Sequence, residues 1–351
     1  MRIALITDAW APQVNGVVRT LTTTTKILRE RGMEVLTLTP DRFTTIPCPT
    51  YPDIRLAIGC GRSLARQLAE FVPDAIHIAT EGPLGWAARS WCLKRGLRFT
   101  TSFHTRFPDY LAVRTGLPAR CFWPALRRFH GAAEAIFAAT GTLQRELQAH
   151  GLPQTHRWSR GVDLSLFSPD AADGRFVHLP RPILLHVGRV AAEKNIGAFL
   201  SVPVSGTRVV VGDGPARARL ERSYPDAVFT GALHGVELGA AYASADCLVF
   251  PSLTDTFGMV MVEALASGIP VAACPVPGPL DVVGADGLGP DGRAGARIGA
   301  LDADLGAAIR MALTADREAC VAEGRRYDWQ NCTDQFLSGL RPLNADNLLA
   351  A

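Results

Sequence analysis

Two cationic side chains follow a predicted strand in the second half of the chain. The apolar run Pro182–Val187 leads into Gly188, and Arg189 and Lys194 come next, on one loop and at the start of a helix. Two cations beyond the end of a strand suit a diphosphate, because arginine can bind such a group through two parallel hydrogen bonds. A surface ion pair with Glu193 is the alternative explanation of the same residues.

Two carboxylates, Asp255 and Glu263, flank a second helix start, where Phe257 and Gly258 open the helix between them. Side chains at these two positions can face the same ligand, and carboxylates accept hydrogen bonds from sugar hydroxyls. The free N–H groups around Gly258 form a predicted anion site. Glu263 stands among apolar helix residues and needs a partner there, which favours a ligand over a purely structural role.

The first half of the chain carries two further candidates, each directly after a predicted strand. In DAWAPQVNGVV, Asn15 and Gly16 turn the chain before a helix, so that backbone N–H groups there could hold a diphosphate. An ordinary tight turn is the alternative. In SFHTRFPDYL, His104 lies just past its strand and could hydrogen-bond a sugar hydroxyl, although a lone histidine is more often structural.

A β-α-β rhythm positions all of these loops and predicts two Rossmann-like α/β domains with parallel sheets. Ligands of such sheets bind outside the carboxyl ends of the strands, which is where the candidate residues stand. The predicted strands are Arg2–Ile6, Glu34–Leu38, Ala75–Ile78, Phe99–Phe103, Ala135–Ala138, Pro182–Val187, Arg208–Val211, Ala227–Thr230, Cys247–Phe250 and Pro270–Ala273.

The domain boundary is predicted from a break in this rhythm at Leu166–Arg181, a segment rich in Asp, Pro and Gly. Residues 1–170 are therefore predicted to form the first domain and residues 171–315 the second. Helices from about residue 316 to residue 351 are expected to pack back towards the first domain. The segment Gly197–Thr207 is short for a full connection between a helix and a strand.

Composition and charge limit the class of protein. Hydrophobic residues make up 48% of the 351 residues, which indicates a globular chain of more than one domain. Residues 1–170 contain 21 Lys and Arg against 13 Asp and Glu, while the remaining residues contain 15 against 20. A basic first half suits an anionic partner or membrane surface, and a chance distribution of charge fits as well. Nothing in these patterns indicates a nucleic-acid partner.

Cysteine spacing and hydropathy indicate a cytoplasmic protein. The eight cysteines are dispersed, without a CxxC pair or a Cys/His cluster, so neither a metal site nor a disulfide framework is predicted. Free thiols suit a reducing cytoplasm. The first residues, MRIALITDAW, are typical of a strand and not of a signal peptide, and no apolar stretch is long enough to span a bilayer.

The combined motifs resemble the large retaining GT-B family of nucleotide-sugar transferases numbered four. They occur as NGVVR, SFHTRFPDY, WSRGVDLSLFSP, HVGRVAAEKN, VVVGDGPARARLE, YASADCLVFPS and DTFGMVMVEALASGIPV, over essentially the whole chain. The pattern is nearest the branch of sulfoquinovosyl-diacylglycerol and lipid mannosyl transferases. The resemblance implies two domains facing across a cleft, and transfer of a hexosyl group from a UDP- or GDP-sugar, with retention, to an acceptor such as a membrane glycerolipid.

The resemblance also implies a role for each candidate residue that contacts the nucleotide. Gly16 would bind the donor diphosphate from the first domain. Arg189 and Lys194 would neutralise that diphosphate from the second domain, as a metal does elsewhere, so no metal or other cofactor is expected. Glu263 would hold the ribose diol.

The donor sugar would be bound by a second set of residues. Asp255 stands where the family usually has the first Glu of its E-x7-E motif, and backbone N–H groups of Phe257, Gly258 and Met259 would assist it. His104 would reach the sugar near its anomeric face. Aspartate is one methylene shorter than glutamate, which leaves the identity of the sugar open.

The acceptor is indicated only by Phe107–His130, a run that mixes aromatic residues such as Phe122 and Trp123 with arginines. Such a run suits peripheral contact with the cytoplasmic face of a membrane, and ordinary helix packing with a solvated basic face is the alternative. A transferase with a soluble sugar or polyol acceptor, a nucleotide-sugar epimerase on the same fold, and a non-catalytic binding protein are rival functions.

Overall fold

The computed structural model describes residues 1–13, 15–48, 51–104, 107–108, 112, 115–253 and 257–343, with the backbone alone for residues 51–54. The chain divides into two compact units. The first unit comprises Met1–Ser159 together with the chain from Trp329 onward, and the second comprises Arg160–Asp328. Each unit contains a six-stranded parallel sheet, as the β-α-β rhythm predicts.

The sheet of the first unit has the strand order β2-β1-β5-β6-β7-β8. Its strands are β1 (Arg2–Ile6), β2 (Glu34–Leu38), β5 (Ala75–Ile78), β6 (Thr100–Phe103), β7 (Ala135–Ala138) and β8 (Thr155–Arg157), and β3 (Thr45–Cys48) and β4 (Tyr51–Ala57) form a separate antiparallel hairpin. The strand order reverses between β1 and β5, which is the switch point where ligands of such sheets bind.

Helices cover the sheet of the first unit and bury its apolar strands. They are α1 (Gly16–Glu30), α2 (Gly61–Phe71), α3 (Pro83–Lys94), α4 (Trp123–His130), α5 (Gly141–Ala149) and the C-terminal helix α13 (Trp329–Gly339). Helix α1 ends at Glu30, two residues before Gly32, whose φ of 79° is left-handed and does not continue a helix. Cys332 and Phe336 of α13 pack in one core cluster with β1, β5 and β7.

The sheet of the second unit has the order β11-β10-β9-β12-β13-β14, the arrangement of a Rossmann fold, with its switch point between β9 and β12. Its strands are β9 (Ile183–Val187), β10 (Thr207–Val211), β11 (Val228–Gly231), β12 (Cys247–Phe250), β13 (Val271–Ala273) and β14 (Gly299–Leu301). Its helices are α6 (Ile196–Leu200), α7 (Arg217–Ser223), α8 (Gly235–Ala243), α9 (Met259–Ala266), α10 (Pro277–Val282), α11 (Leu305–Ala312) and α12 (Arg317–Gly324). Helix α6 has only 5 residues, so the connection to β10 is short, as predicted.

The unit boundaries differ from the predicted domain boundaries at both ends. The N–H group of Val162 donates a hydrogen bond to the Tyr327 carbonyl, and the ring of Phe167 packs edge-on against Tyr242, so this segment belongs with the second unit. Helix α12 also stays there, since Gly324 lies so close to Ala266 that a Cβ would be 2.3 Å from the Ala266 nitrogen. Among the described helices of the C-terminal part, α13 belongs to the first unit. Over the described ranges, no helix is long and apolar enough to cross a membrane.

Candidate active site

The loops after β9 and β12 open at the same carboxyl edge, because these strands are paired neighbours at the switch point of the second sheet. Arg189 is exposed and Lys194 is half-buried on the first of these loops. Asn195 ends that loop in a left-handed conformation with φ 52°, and its side-chain amide donates a hydrogen bond of 3.3 Å to the Pro251 carbonyl beyond β12. The structure therefore brings the cationic loop against the loop that precedes α9.

Two glycines after β10 fix the backbone of this cationic loop. A Cβ at Gly212 would lie 1.9 Å from the Gly188 carbonyl oxygen, and a Cβ at Gly214 would lie 2.4 Å from the Val190 carbonyl oxygen. The Val190 N–H group also donates a hydrogen bond of 2.9 Å to the Asp213 carbonyl. Only glycine allows such close backbone contact, so the GDG run holds the loop that carries Arg189.

Glu263 has a protein partner that sequence reasoning missed. Its side chain lies in helix α9 and is buried, with 3% of the residue exposed. The hydroxyl of Tyr242, a fully buried residue of α8, donates a hydrogen bond of 2.9 Å to Glu263 Oε2. Glu263 therefore has a partner within the protein, and its role in binding a ligand stays a prediction. A carboxylate accepts about four hydrogen bonds, however, and the Tyr242 hydroxyl occupies one position while it fixes the orientation of the group.

Helix α9 begins at Met259, directly after Gly258, which has a φ of 79°. A Cβ at Gly258 would approach the Met261 Cε atom to 2.8 Å and the Phe250 ring to 3.0 Å, so the turn into the helix requires glycine. Phe257 is buried and its ring packs against Tyr327 at 6.0 Å between centroids. Asp255 lies outside the described residues.

Two of the backbone N–H groups in the predicted anion site at the start of α1 are hydrogen-bonded within the protein. The side chain of Asn15 caps this helix, and its Oδ1 atom accepts hydrogen bonds of 3.0 Å from the N–H groups of both Val17 and Val18. Those two donors are occupied by the protein itself. Gly16 is the first residue of the helix and is exposed.

Asp8, two residues beyond the end of β1, links that strand to the loop and helix that follow β5. Its carboxylate accepts hydrogen bonds from the N–H group of Leu84 at 3.0 Å, from that of Gly85 at 3.4 Å and from the Thr80 hydroxyl at 3.0 Å. It therefore caps the start of helix α3 from a distant part of the chain. Burial raises the pKa of Asp8 above its usual range, against the opposing effect of these hydrogen bonds.

His104 follows β6 at the carboxyl edge of the first sheet, and 7% of the residue is exposed. Its ring packs against the ring of Trp158, with 5.5 Å between centroids and 59° between planes. Trp158 follows β8 and is fully buried. Sequence reasoning did not single out Trp158, although it is the first letter of the WSRGVDLSLFSP motif.

The aromatic and basic run Phe107–His130 is mostly ordinary helix packing where the structure describes it. Trp123 is buried and stacks on His150 at 3.6 Å between centroids, so its ring is not exposed for contact with a membrane. Phe122 is half-buried. The exposed arginines of the described part of the run are Arg120, Arg127 and Arg128. Arg106, Tyr110, Leu111 and Arg114 lie outside the described residues.

Metal ligands do not gather in the described part of the chain, where no three His, Cys, Asp or Glu side chains come together as a metal site. That the reaction needs no metal stays a prediction.

Two family models match the chain one after the other. The model Glycosyltransferase Family 4 matches residues 14–166, and the model Glycosyl transferases group 1 matches residues 181–302. The chain belongs to glycosyltransferase family 4. The predicted family and the predicted enzyme class, a glycosyltransferase, are thereby confirmed.

Curated relatives of this family 4 glycosyltransferase carry several transferase names. The chain is 35% identical over 309 residues to a GDP-mannose-dependent alpha-mannosyltransferase of Mycobacterium tuberculosis, covering 81% of each chain. It is 30% identical over 346 residues to the sulfoquinovosyl transferase SQD2 of Arabidopsis thaliana, covering 89% of this chain and 67% of the relative. It is 28% identical over 320 residues to the alpha-monoglucosyldiacylglycerol synthase of Streptococcus pneumoniae, covering 78% and 71%.

Solved structures show the same fold. Sucrose-phosphate synthase from Thermosynechococcus elongatus matches with a TM-score of 0.71 at 22% identity, covering 96% of this glycosyltransferase and 97% of the synthase. The predicted GT-B fold is thereby confirmed.

Proposed function

We propose that this glycosyltransferase transfers a hexosyl group from a nucleotide-diphosphate sugar to a membrane glycerolipid, with retention and without a metal ion. The observation that carries the proposal is the joined pair of loops at the second switch point. One loop presents Arg189 and Lys194, and the other leads into the helix of Glu263, whose carboxylate is held by Tyr242. Cations for a diphosphate and a fixed carboxylate for a ribose diol are the groups that a nucleotide donor requires.

The donor sugar is assigned to Asp255, to the backbone N–H groups of Phe257, Gly258 and Met259, and to His104. Gly16 keeps the diphosphate contact that the family resemblance implies. GDP-mannose is the first donor to test, because the 35% identical relative is named for it.

The proposed reaction needs no nucleophile from the protein. The acceptor hydroxyl oxygen bonds to the anomeric carbon on the face from which the diphosphate leaves, and the departing diphosphate takes the hydroxyl proton. Arg189 and Lys194 stabilise the charge that develops on the leaving group, and such electrostatic stabilisation is usually the largest catalytic contribution.

A lipid acceptor is supported by the name of one relative, a synthase of alpha-monoglucosyldiacylglycerol. It is also supported by the exposed Arg120, Arg127 and Arg128, which suit an anionic membrane surface at the cytoplasmic face. The burial of Trp123 removes this aromatic ring from contact with a membrane and so favours a soluble sugar or polyol acceptor as the second candidate.

A two-stage experiment tests the proposal. Thermal shift with GDP-mannose, UDP-glucose and other nucleotide sugars, with and without a chelator, identifies the donor, because a ligand of the native state raises the melting temperature. The donor is then incubated with vesicles that contain diacylglycerol or phosphatidylinositol, or with soluble sugars and polyols, and the product and its anomeric configuration are analysed.

The expected result is a chelator-resistant shift and a glycolipid that retains the configuration of the donor sugar. Binding that disappears with chelator and returns with magnesium or manganese would contradict metal independence. Transfer only to soluble acceptors would replace the lipid, and nucleotide release with an epimerised sugar and no acceptor would identify an epimerase.

A further inference from the structure

Trp158 and His104 meet above the end of strand β7. Phe103, the last residue of β6, is paired in register with Ala138, the last residue of β7. The N–H group of Trp158, the residue after β8, donates a hydrogen bond of 2.9 Å to the Ala138 carbonyl. The backbone therefore places His104 and Trp158 on either side of the same short strand, at the carboxyl edge where the first unit is expected to meet its ligands.

The ring of Trp158 contacts His104 and is packed against three further aromatic rings. The 5.5 Å between the centroids of the Trp158 and His104 rings lies within the range of favourable aromatic pairs. Behind Trp158 lie the rings of Phe336 at 5.0 Å, Phe137 at 5.7 Å and His77 at 5.8 Å. Because Trp158 is fully buried among these rings, its indole cannot rotate without displacing the core of the first unit.

We propose that Trp158 is a positioning residue that fixes the ring orientation of His104, and with it the direction from which this histidine meets the donor sugar. The inference rests on the proposed function, in which His104 contacts that sugar. It extends the site to the C-terminal helix α13, since Phe336 of that helix supports the indole from behind. Small displacements of a group at a reacting centre have large effects on rate, so the support matters for turnover.

Two substitutions test this role: Trp158→Phe, which leaves a smaller aromatic ring, and Trp158→Leu, which removes the ring. The matched controls are Trp91→Phe and Trp91→Leu, because Trp91 is also a buried tryptophan of the first unit, with 5% exposed, and belongs to a different core cluster. Two quantities are measured for each protein with GDP-mannose and GDP as probes. One is the rate of donor hydrolysis by water, and the other is the ratio of the Kd for GDP to the Kd for GDP-mannose.

The expected result is that Trp158→Leu lowers hydrolysis by about 10- to 100-fold and lowers the affinity ratio, with the Kd for GDP unchanged. Trp158→Phe keeps an aromatic ring, so its losses of hydrolysis and of the affinity ratio should be smaller. This variant keeps the proposal testable if the leucine variant does not fold. The Trp91 variants should change the melting temperature without changing either quantity.

A double-mutant cycle with His104→Ala separates a positioning role from a structural one. If Trp158 acts through His104, the Trp158 substitutions cause no further loss of hydrolysis or of the affinity ratio when His104 is already absent. An equal loss in both backgrounds would overturn the proposal and leave Trp158 a core residue. If His104→Ala alone changes neither quantity while GDP-mannose still binds, the role of His104 in the proposed function is the part that fails.

Discussion

The two sheets are built alike, but the carboxyl edges of their switch points use polar residues differently. In the second unit, glycines and an asparagine amide hold the loops, and the charges of Arg189 and Lys194 extend from them. In the first unit, Asp8 caps helix α3 and Asn15 caps helix α1. In the second unit the loop is held by glycine backbone and by Asn195, and Arg189 is exposed, whereas in the first unit a carboxylate and an amide after the strands serve as helix caps.

Glu81 and His130 of the first unit are a further pair of polar side chains that contact each other within the fold. His130 Nε2 lies 3.1 Å from Glu81 Oε1, and His130 Nδ1 lies 2.9 Å from the Thr101 hydroxyl, with the side chains of both His130 and Glu81 buried. These polar groups of the first unit therefore stabilise its own packing. The comparison teaches that a polar residue after a strand can serve the fold itself, so its position alone does not identify a ligand site.

The largest effect should come from removing a charge of the second unit. Arg189→Ala should lower turnover by about 100- to 1,000-fold, because the developing charge of the leaving diphosphate loses a fixed cation. Arg219→Ala is the matched control, since Arg219 is an exposed arginine of helix α7 in the same unit. Steady-state kinetics with the identified donor measure the effect. A loss no greater than that of the control would remove the distinction between the two units.

Glu263 and Asp255 of the second unit should have different roles, the first in nucleotide binding and the second in turnover. Glu263→Ala should weaken GDP binding by about 1.5–3 kcal/mol, the usual value for a hydrogen bond to a charged group, and Tyr242→Phe by about 1 kcal/mol through loss of its support. Asp255→Ala should lower turnover and leave GDP affinity close to that of the unmodified protein. Calorimetric titration with GDP checks this, and equal losses of affinity at Glu263 and Asp255 would contradict it.

In the first unit, the largest pH effect should come from its core. Burial lowers the pKa of His77 to about 3, from about 6.5 in an unfolded chain. As the pH falls below about 6.5, the unfolded chain binds a proton that the folded chain does not accept until about pH 3. The free energy of unfolding should therefore be about 2 kcal/mol lower at pH 5 than at pH 7.5.

Tryptophan fluorescence reports on the unfolding of the first unit, in which His77 lies, since all 6 tryptophans belong to that unit. In His77→Gln, the free energy of unfolding in urea, measured with this signal, should change little between pH 7.5 and pH 5. The control His178→Gln, at an exposed histidine of the second unit, should keep it. The same pH dependence in both variants would show that His77 is not the responsible group.

The smallest effect concerns the outer surface of the first unit. Replacing Arg127 and Arg128 with glutamate should weaken binding to anionic vesicles by at least about 1 kcal/mol per residue, an effect that falls as salt is raised. Arg66→Glu on helix α2 is the control for a charge change elsewhere on this unit. Co-sedimentation at low and high salt provides the measurement. Equal binding of all variants, or equal binding to neutral vesicles, would favour a soluble acceptor.

Sequence patterns predicted ten strands of the two sheets and missed the edge strands β8 and β14. The buried parallel strands were predicted because each is an apolar run bounded by helical patterns. The 3-residue strands Thr155–Arg157 and Gly299–Leu301 were missed, as was the hairpin Thr45–Ala57. A run of three residues carries no periodicity, and its pairing depends on neighbouring strands that are already in place.

In the candidate site, too, residues within motifs were predicted and their partners from distant parts of the chain were not. Arg189, Lys194, Gly258 and Glu263 could be located because their neighbours in sequence form motifs. Tyr242, which holds Glu263, is 21 residues away, and the N–H group that Asp8 caps is 76 residues away. Such partners are brought together by packing of separate elements, so no local pattern reveals them, and the occupied N–H groups beside Gly16 were predicted to be open for the same reason.

The position of α13 in the chain has a consequence for biosynthesis. The first unit needs Phe336 to complete the cluster around Trp158 and His77, yet this helix is the last described helix to leave the ribosome. The whole second unit is synthesised between the two parts of the first. We expect the second unit to fold while the first still lacks part of its core. Released chains that end at Asp328 should then resist protease across the second unit and remain sensitive in the first.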